Sequence, residues 1–151
     1  KRQGSNGGLL VGAALTQRPD LFRAVVCWNP LLDMIRYHNF LIAKLWIPEY
    51  GSPEDSVQFQ WLYAYSPYHR VVDGTPYPAT MILTADSDTR VDPMHGLKRT
   101  ARLQAATSSD APILLRFDTK SGHAGTPLSK TIEEYTDIWS FIFWQLGVSY
   151  Q

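Results

Sequence analysis

The sequence predicts a parallel α/β sheet flanked by helices, and three observations predict it. Short valine- and leucine-rich runs at 21–28, 79–85 and 112–118 have the length and bounding residues of buried strands. Helical apolar spacing fills the intervals between them. A glycine-rich turn around a single serine, "RQGSNGG", opens the chain just before the first helical pattern. Strands alternating with helices give a sheet whose strands all run the same way.

The elements follow in order. After the serine turn, Leu9, Leu10, Ala13 and Ala14 recur at helical spacing, and Pro19 closes that segment. "LFRAVVCW" (21–28) has adjacent valines and is bounded by Asp20 and by Asn29-Pro30, which suits a strand covered on both faces. An aromatic-rich stretch over roughly 30–77 follows, punctuated by "LWIPEYGSPED" and "YAYSPYH". It is too long for a plain connection, and excursions of that kind build binding surfaces at strand ends. Within it, Val57 to Tyr65 is helical. "ATMILTA" (79–85) is the second strand, Met94 to Ala106 the next helix, and "PILLRFD" (112–118) the third strand. In the last helix Leu128, Ile132, Tyr135, Trp139, Ile142 and Leu146 mark one apolar face, with Gly147 as its stop.

Composition narrows the function classes. With 151 residues, 44% hydrophobic and 19% charged, the chain can build one domain core and has no disordered character. Its net charge of zero and the lack of a Lys/Arg block argue against nucleic acid or an anionic membrane as partner. No apolar run approaches the roughly 20 residues that span a bilayer, and no basic-then-apolar leader precedes Gly4, so a soluble chain is expected. Cys27 is the single cysteine and sits in an apolar run, as a small buried hydrophobe does, so no disulfide forms within the chain. No His/Cys/carboxylate set has metal-ligand spacing, and no metal or organic cofactor is expected.

Three segments can carry chemistry. Ser5 lies in the glycine turn before a helix, where small neighbours let the backbone bend and lift the hydroxyl, and where the amide of Asn6 can face a developing oxyanion; a capping serine would have the same local sequence. "TADSDTRVDP" follows the second strand and offers Asp86 and Asp88, which could equally be helix caps or solvated charges. "DTKSGHAGT" follows the third strand and holds His123 between Gly122 and Ala124, where an exposed loop histidine is the plain alternative. A serine, an aspartate and a histidine, each after a strand and in that chain order, fit the α/β-hydrolase arrangement. There the histidine takes the serine proton, the aspartate orients the imidazole, and the serine attacks an acyl carbon.

The stretches "GSNGGLLVGAALTQRPDLF", "LLDMIRYHNF", "WIPEYGSPE", "YSPYHRV", "YPATMILTADSDTRVDP" and "DTKSGHAG" resemble the catalytic domain of prolyl oligopeptidases, over about Gly4 to Gly147. The resemblance implies Ser5 as nucleophile, Asp88 rather than Asp86 as the triad acid, and His123 as base. It implies Asn6 as an oxyanion amide, Arg90 on a substrate carbonyl, and Trp46 stacked on the substrate proline, with Tyr50, Val91 and Leu31 lining that pocket. The chemistry is coherent, because a proline ring presents a flat apolar face that a tryptophan in a dry slot can select. The resemblance further implies hydrolysis of peptides after proline through an acyl-enzyme, short peptide substrates and a cytoplasmic location. An esterase on the same scaffold, or a fragment without catalysis, are the alternatives.

Two departures from the family pattern stand out. Gln3 occupies the position two before the serine where the elbow has glycine, and a distorted elbow is expected. The strands upstream of the nucleophile, an upstream propeller and a tyrosine oxyanion donor have no counterpart, so residues 1–151 are expected to be the C-terminal half of a catalytic domain, a partial α/β-hydrolase fold. The partner expected for it is the missing N-terminal half or another copy of the chain, bound along the unpaired edge of the strand at 21–28.

Overall fold

The computed structural model describes residues 3–119, 122 and 127–149. Four parallel strands lie in the order β1 (Gln3–Ser5), β2 (Ala24–Pro30), β3 (Ala79–Ala85) and β4 (Ile113–Asp118). Ala24 to Trp28 pair with Ala79 to Leu83, and Thr80 to Ala85 with Ile113 to Asp118. The helices are α1 (Asn6–Gln17), α2 (Ile47–Tyr50), α3 (Ser56–Tyr65), α4 (Met94–Ala106) and α5 (Leu128–Leu146), and all but the short α2 lie where the sequence predicts helices.

The sheet separates two apolar layers. On one face Leu15 of α1 and Leu103 and Ala106 of α4 meet Val25, Cys27, Ile82 and Ile113. On the other, Ile138 and Phe141 of α5 meet Val26, Ala79, Met81 and Leu83. β3 is buried at every residue because both layers cover it, whereas β4 at the edge is only half covered. A third cluster, with Leu9, Leu31, Met34, Tyr37, Leu62 and Val91 at its centre, seats the 30–77 excursion over the carboxyl ends of the strands.

Four expectations are revised. β2 begins at Ala24 because Pro19, with its fixed φ, starts a 3-10 turn over Pro19–Leu21. It runs on to Pro30 because Asn29, at φ 38, lets β2 slip one residue, so that Gly4 faces Trp28 and Ser5 faces Pro30. A strand leading into the serine turn is present at Gln3–Ser5, and it covers the β2 edge from Cys27 onward. The exposed β4 does not match the two-sided burial anticipated for that run. In α5 the stripe through Leu128, Ile132, Tyr135 and Trp139 is exposed, and the neighbouring stripe through Ile138 and Phe141 takes the sheet. Gly147 ends α5 as anticipated, at φ 67, in the left-handed region where glycine carries no Cβ penalty.

Candidate active site

Parallel strands deliver their following loops to one edge of the sheet, and the candidate residues lie there. Ser5 ends β1, Leu31 follows β2, and Asp86, Asp88 and Arg90 follow β3. His123 falls in the connection between β4 and α5 and lies outside the described residues.

Ser5 has φ 53 and ψ −119, a backbone conformation that a side chain with a Cβ rarely adopts. Held there, it turns the chain from β1 directly into α1. The turn is possible because Gly4 and Gly8 carry no side chains. A Cβ on Gly4 would stand 2.3 Å from the Trp28 ring, and one on Gly8 2.6 Å from Pro30. Ser5 reaches this conformation with Gln3 in the strand before it. Although it occupies the N-cap position, its hydroxyl makes no capping hydrogen bond, which removes the capping-serine alternative. Asn6 is the first residue of α1, where an amide has no acceptor within the helix and stays available to an anion.

The two aspartates are unlike. Asp86 is exposed, and its carboxylate accepts from the Ser87 hydroxyl at 2.8 Å. Asp88 is buried, and its Oδ1 accepts the amides of Arg90 at 2.8 Å and Val91 at 2.9 Å. Those bonds fix the carboxylate rotamer. They also fix the turn that carries Arg90.

Beside Ser5 lies a cleft of about 120 Å³ lined by Ser5, Asn6, Leu31, Trp46, Glu49, Tyr50 and Arg90. Val91 is buried in the cluster behind it, against which Trp46 and Tyr50 pack. Six of the residues named from the sequence thus line one cleft and a seventh backs it. The seventh lining residue, Glu49, was not anticipated; its only sequence signal is its place between Trp46 and Tyr50. Burial first, and then the Glu49 carboxylate, push the Tyr50 hydroxyl up to about 12, so it remains a neutral donor. Tyr37 meets Tyr50 edge to face at 5.8 Å and donates to the Gly51 carbonyl at 2.7 Å, which braces this wall from behind.

Among the described residues no group of three or more His, Cys, Asp or Glu could hold a metal ion, and no helix is long and apolar enough to cross a membrane.

The chain is similar to known prolyl endopeptidases and prolyl oligopeptidases. It is 44% identical over 146 residues to a prolyl endopeptidase of Elizabethkingia meningoseptica, covering 95% of this chain and 21% of the relative. It is 40% identical over 151 residues to prolyl oligopeptidase A of Amanita bisporigera, covering 98% and 20%. Among solved structures, one from a structural and mechanistic analysis of two prolyl endopeptidases matches with a TM-score of 0.95 at 51% identity, covering 98% of this chain and 22% of that one. Prolyl oligopeptidase B from Galerina marginata, bound to a 35mer hydrolysis and macrocyclization substrate, matches with a TM-score of 0.93 at 36% identity, covering 99% and 22%. The chain spans about a fifth of the length of these relatives. The family model for the prolyl oligopeptidase family matches residues 4–149, and with the parallel sheet and the serine turn at its carboxyl edge this chain belongs to the prolyl oligopeptidase family.

Proposed function

We propose that the chain carries the catalytic serine of a peptidase that cleaves peptides after proline by acyl transfer. The observation that carries this reading is the strained, uncapped Ser5 at the mouth of a cleft walled by Trp46 and Arg90. Ser5 Oγ attacks the scissile carbonyl as His123 removes its proton, and Asp88 orients and stabilises the imidazolium. The Asn6 amide receives the oxyanion. The Trp46 face, with Tyr50, Val91 and Leu31 around it, takes the proline ring, while Arg90 binds a substrate backbone carbonyl. Protonated His123 then gives its proton to the leaving amine, and water releases the acyl group by the same steps.

Turnover is proposed for the chain together with further polypeptide, either an N-terminal companion or a second copy. Two features support this: the relatives are about five times longer, and Ala24–Val26 have no strand beside them on the β1 side among the described residues. The test is labelling with a peptidyl-proline phosphonate. The adduct is expected on Ser5 and absent from Ser5→Ala, and proline anilides should be hydrolysed faster than short acyl esters. Labelling elsewhere, or the reverse preference, would overturn the reading.

A further inference from the structure

The walls of the cleft come from two separate loops, Leu31 after β2 and Arg90 after β3, and one buried side chain joins them. His95 is 2% exposed and lies in the first turn of α4, which starts directly after the Asp88–Val91 turn. Its Nδ1 accepts the amide of Asp33 at 3.0 Å and, more weakly, that of Leu32 at 3.4 Å. These are the two residues following Leu31. An acceptor at Nδ1 requires the tautomer with its proton on Nε2. Burial supplies the condition for it, pushing the imidazole down to about 4, so that the lone pair stays free at neutral pH.

The same helix holds the side chain of that loop. One turn on, Lys98 Nζ donates to Asp33 Oδ2 at 2.5 Å, and Asp33 Oδ1 accepts from its own loop at the Ile35 and Arg36 amides, at 3.3 and 3.2 Å. The Met34 amide finds the Ser66 hydroxyl at 3.0 Å. Every one of these bonds is to the Leu32–Arg36 backbone or to Asp33, and the two at His95 are those nearest Leu31.

We propose that His95 is a positioning residue for the cleft, holding Leu31 against the Asp88–Val91 turn so that the proline-binding wall is set before substrate arrives. This rests on the peptidase reading above. His95 touches no substrate atom and acts only through the Leu32 and Asp33 amides. Its effect therefore belongs to substrate binding more than to the chemical step.

The test compares His95→Asn, whose Oδ1 can replace Nδ1 as acceptor, with His95→Phe, which keeps the ring and removes the acceptor. In the peptidase-competent protein, His95→Phe should raise KM for a proline anilide about tenfold with kcat changed less than about threefold, and His95→Asn should stay within about threefold of the parent in both. Backbone hydrogen exchange, which needs no turnover, should show the Leu32 and Asp33 amides protected in the parent and in His95→Asn but exchanging in His95→Phe. An unchanged KM and unchanged protection in His95→Phe would overturn the proposal. So would an Asn variant that behaves like the Phe variant; if His95→Phe does not fold, the Asn variant alone decides, by keeping or losing KM and protection. A parent that shows the protection but no turnover of proline anilides would instead overturn the peptidase reading, and the proposal with it.

Discussion

Gly4 and the Trp28 indole are in such close contact that a Cβ on Gly4 would stand 2.3 Å from Cε3 of the ring. That contact sets how deeply β1 lies against β2 and hence where Ser5 emerges. Gly4→Ala should drive the indole out or shift the elbow, costing roughly 1–3 kcal/mol as overpacking does. Thermal unfolding and tryptophan fluorescence check this, and labelling of Ser5 by the phosphonate should slow in parallel. A variant as stable and as reactive as the parent would show that the contact relaxes freely.

Asp88 and Asp86 differ in burial and in partners, and their variants should differ as well. Asp88→Asn leaves the carboxylate position filled but gives the imidazole the wrong partner, a change that costs on the order of 10⁴ in rate where a triad acid is lost. Asp86→Asn removes only an exposed acceptor of the Ser87 hydroxyl and should change kcat less than about tenfold. Steady-state kinetics of the two variants decide, and the opposite ranking would move the acid to Asp86.

Trp46 presents its half-buried ring to the cleft. Trp46→Ala removes a stacking face worth about 0.5–1.5 kcal/mol beyond buried area, so the ratio of kcat/KM for proline over alanine substrates should fall several-fold or more. An unchanged ratio would place proline selection elsewhere.

Acid should weaken the fold through His95. Its folded pKa, pushed down by burial from 6.5 to about 4, lies below the unfolded value, so between those limits the unfolded chain binds the proton more tightly. The stability due to neutral His95 is complete above about pH 6.5, falls as pH drops toward 4, and falls no further below that. The loss amounts to roughly 3 kcal/mol across the window. Asp33, Asp92 and Lys98 are the charged groups around the ring. Asp33 is lowered as well: burial opposes its charge, but the hydrogen bond and charge of Lys98 outweigh that, so it too loses its contribution as it protonates in acid. Urea unfolding between pH 7 and 4 isolates the His95 part, which should appear in the parent and be absent from His95→Asn, because the lowered Asp33 loses its contribution only below its ordinary value of 3.8.

Much of the fold was legible because strand and helix periods differ in kind. The run 79–85 and the helix 94–106 have the limits the sequence predicts. Ser5, Asn6, Leu31, Trp46, Tyr50 and Arg90 line one cleft; chain order foretells only that loops after parallel strands share an edge, and Leu31, Trp46, Tyr50 and Arg90 were singled out by the family resemblance. Other features depend on tertiary contacts. That Pro19 tightens into a 3-10 turn and delays β2, or that α5 presents Ile138 and Phe141 rather than its Tyr135–Trp139 stripe to the sheet, turns on which of two apolar flanks finds a partner. The His95 network had no signal at all, since Asp33 and His95 are far apart in sequence and each is ordinary by itself. Asp88 and Asp86 also differ in burial, to which spacing is blind.

The register of β2 on β3 has a consequence in time. Ala24 pairs with Ala79, so these neighbours cannot form as a hairpin and must wait until the whole excursion between them has been gathered in. Leu31, Met34, Tyr37 and Leu62 of that excursion pack in one cluster with Val91, which arrives only with β3. The cleft wall and the sheet therefore mature together, late and cooperatively. Until they do, Ser5 is an ordinary seryl hydroxyl on a flexible chain. On the peptidase reading proposed above, an unfinished molecule would have no means of cutting its neighbours, because the same long-range pairing that slows folding keeps Ser5 out of its strained turn until the cleft is built.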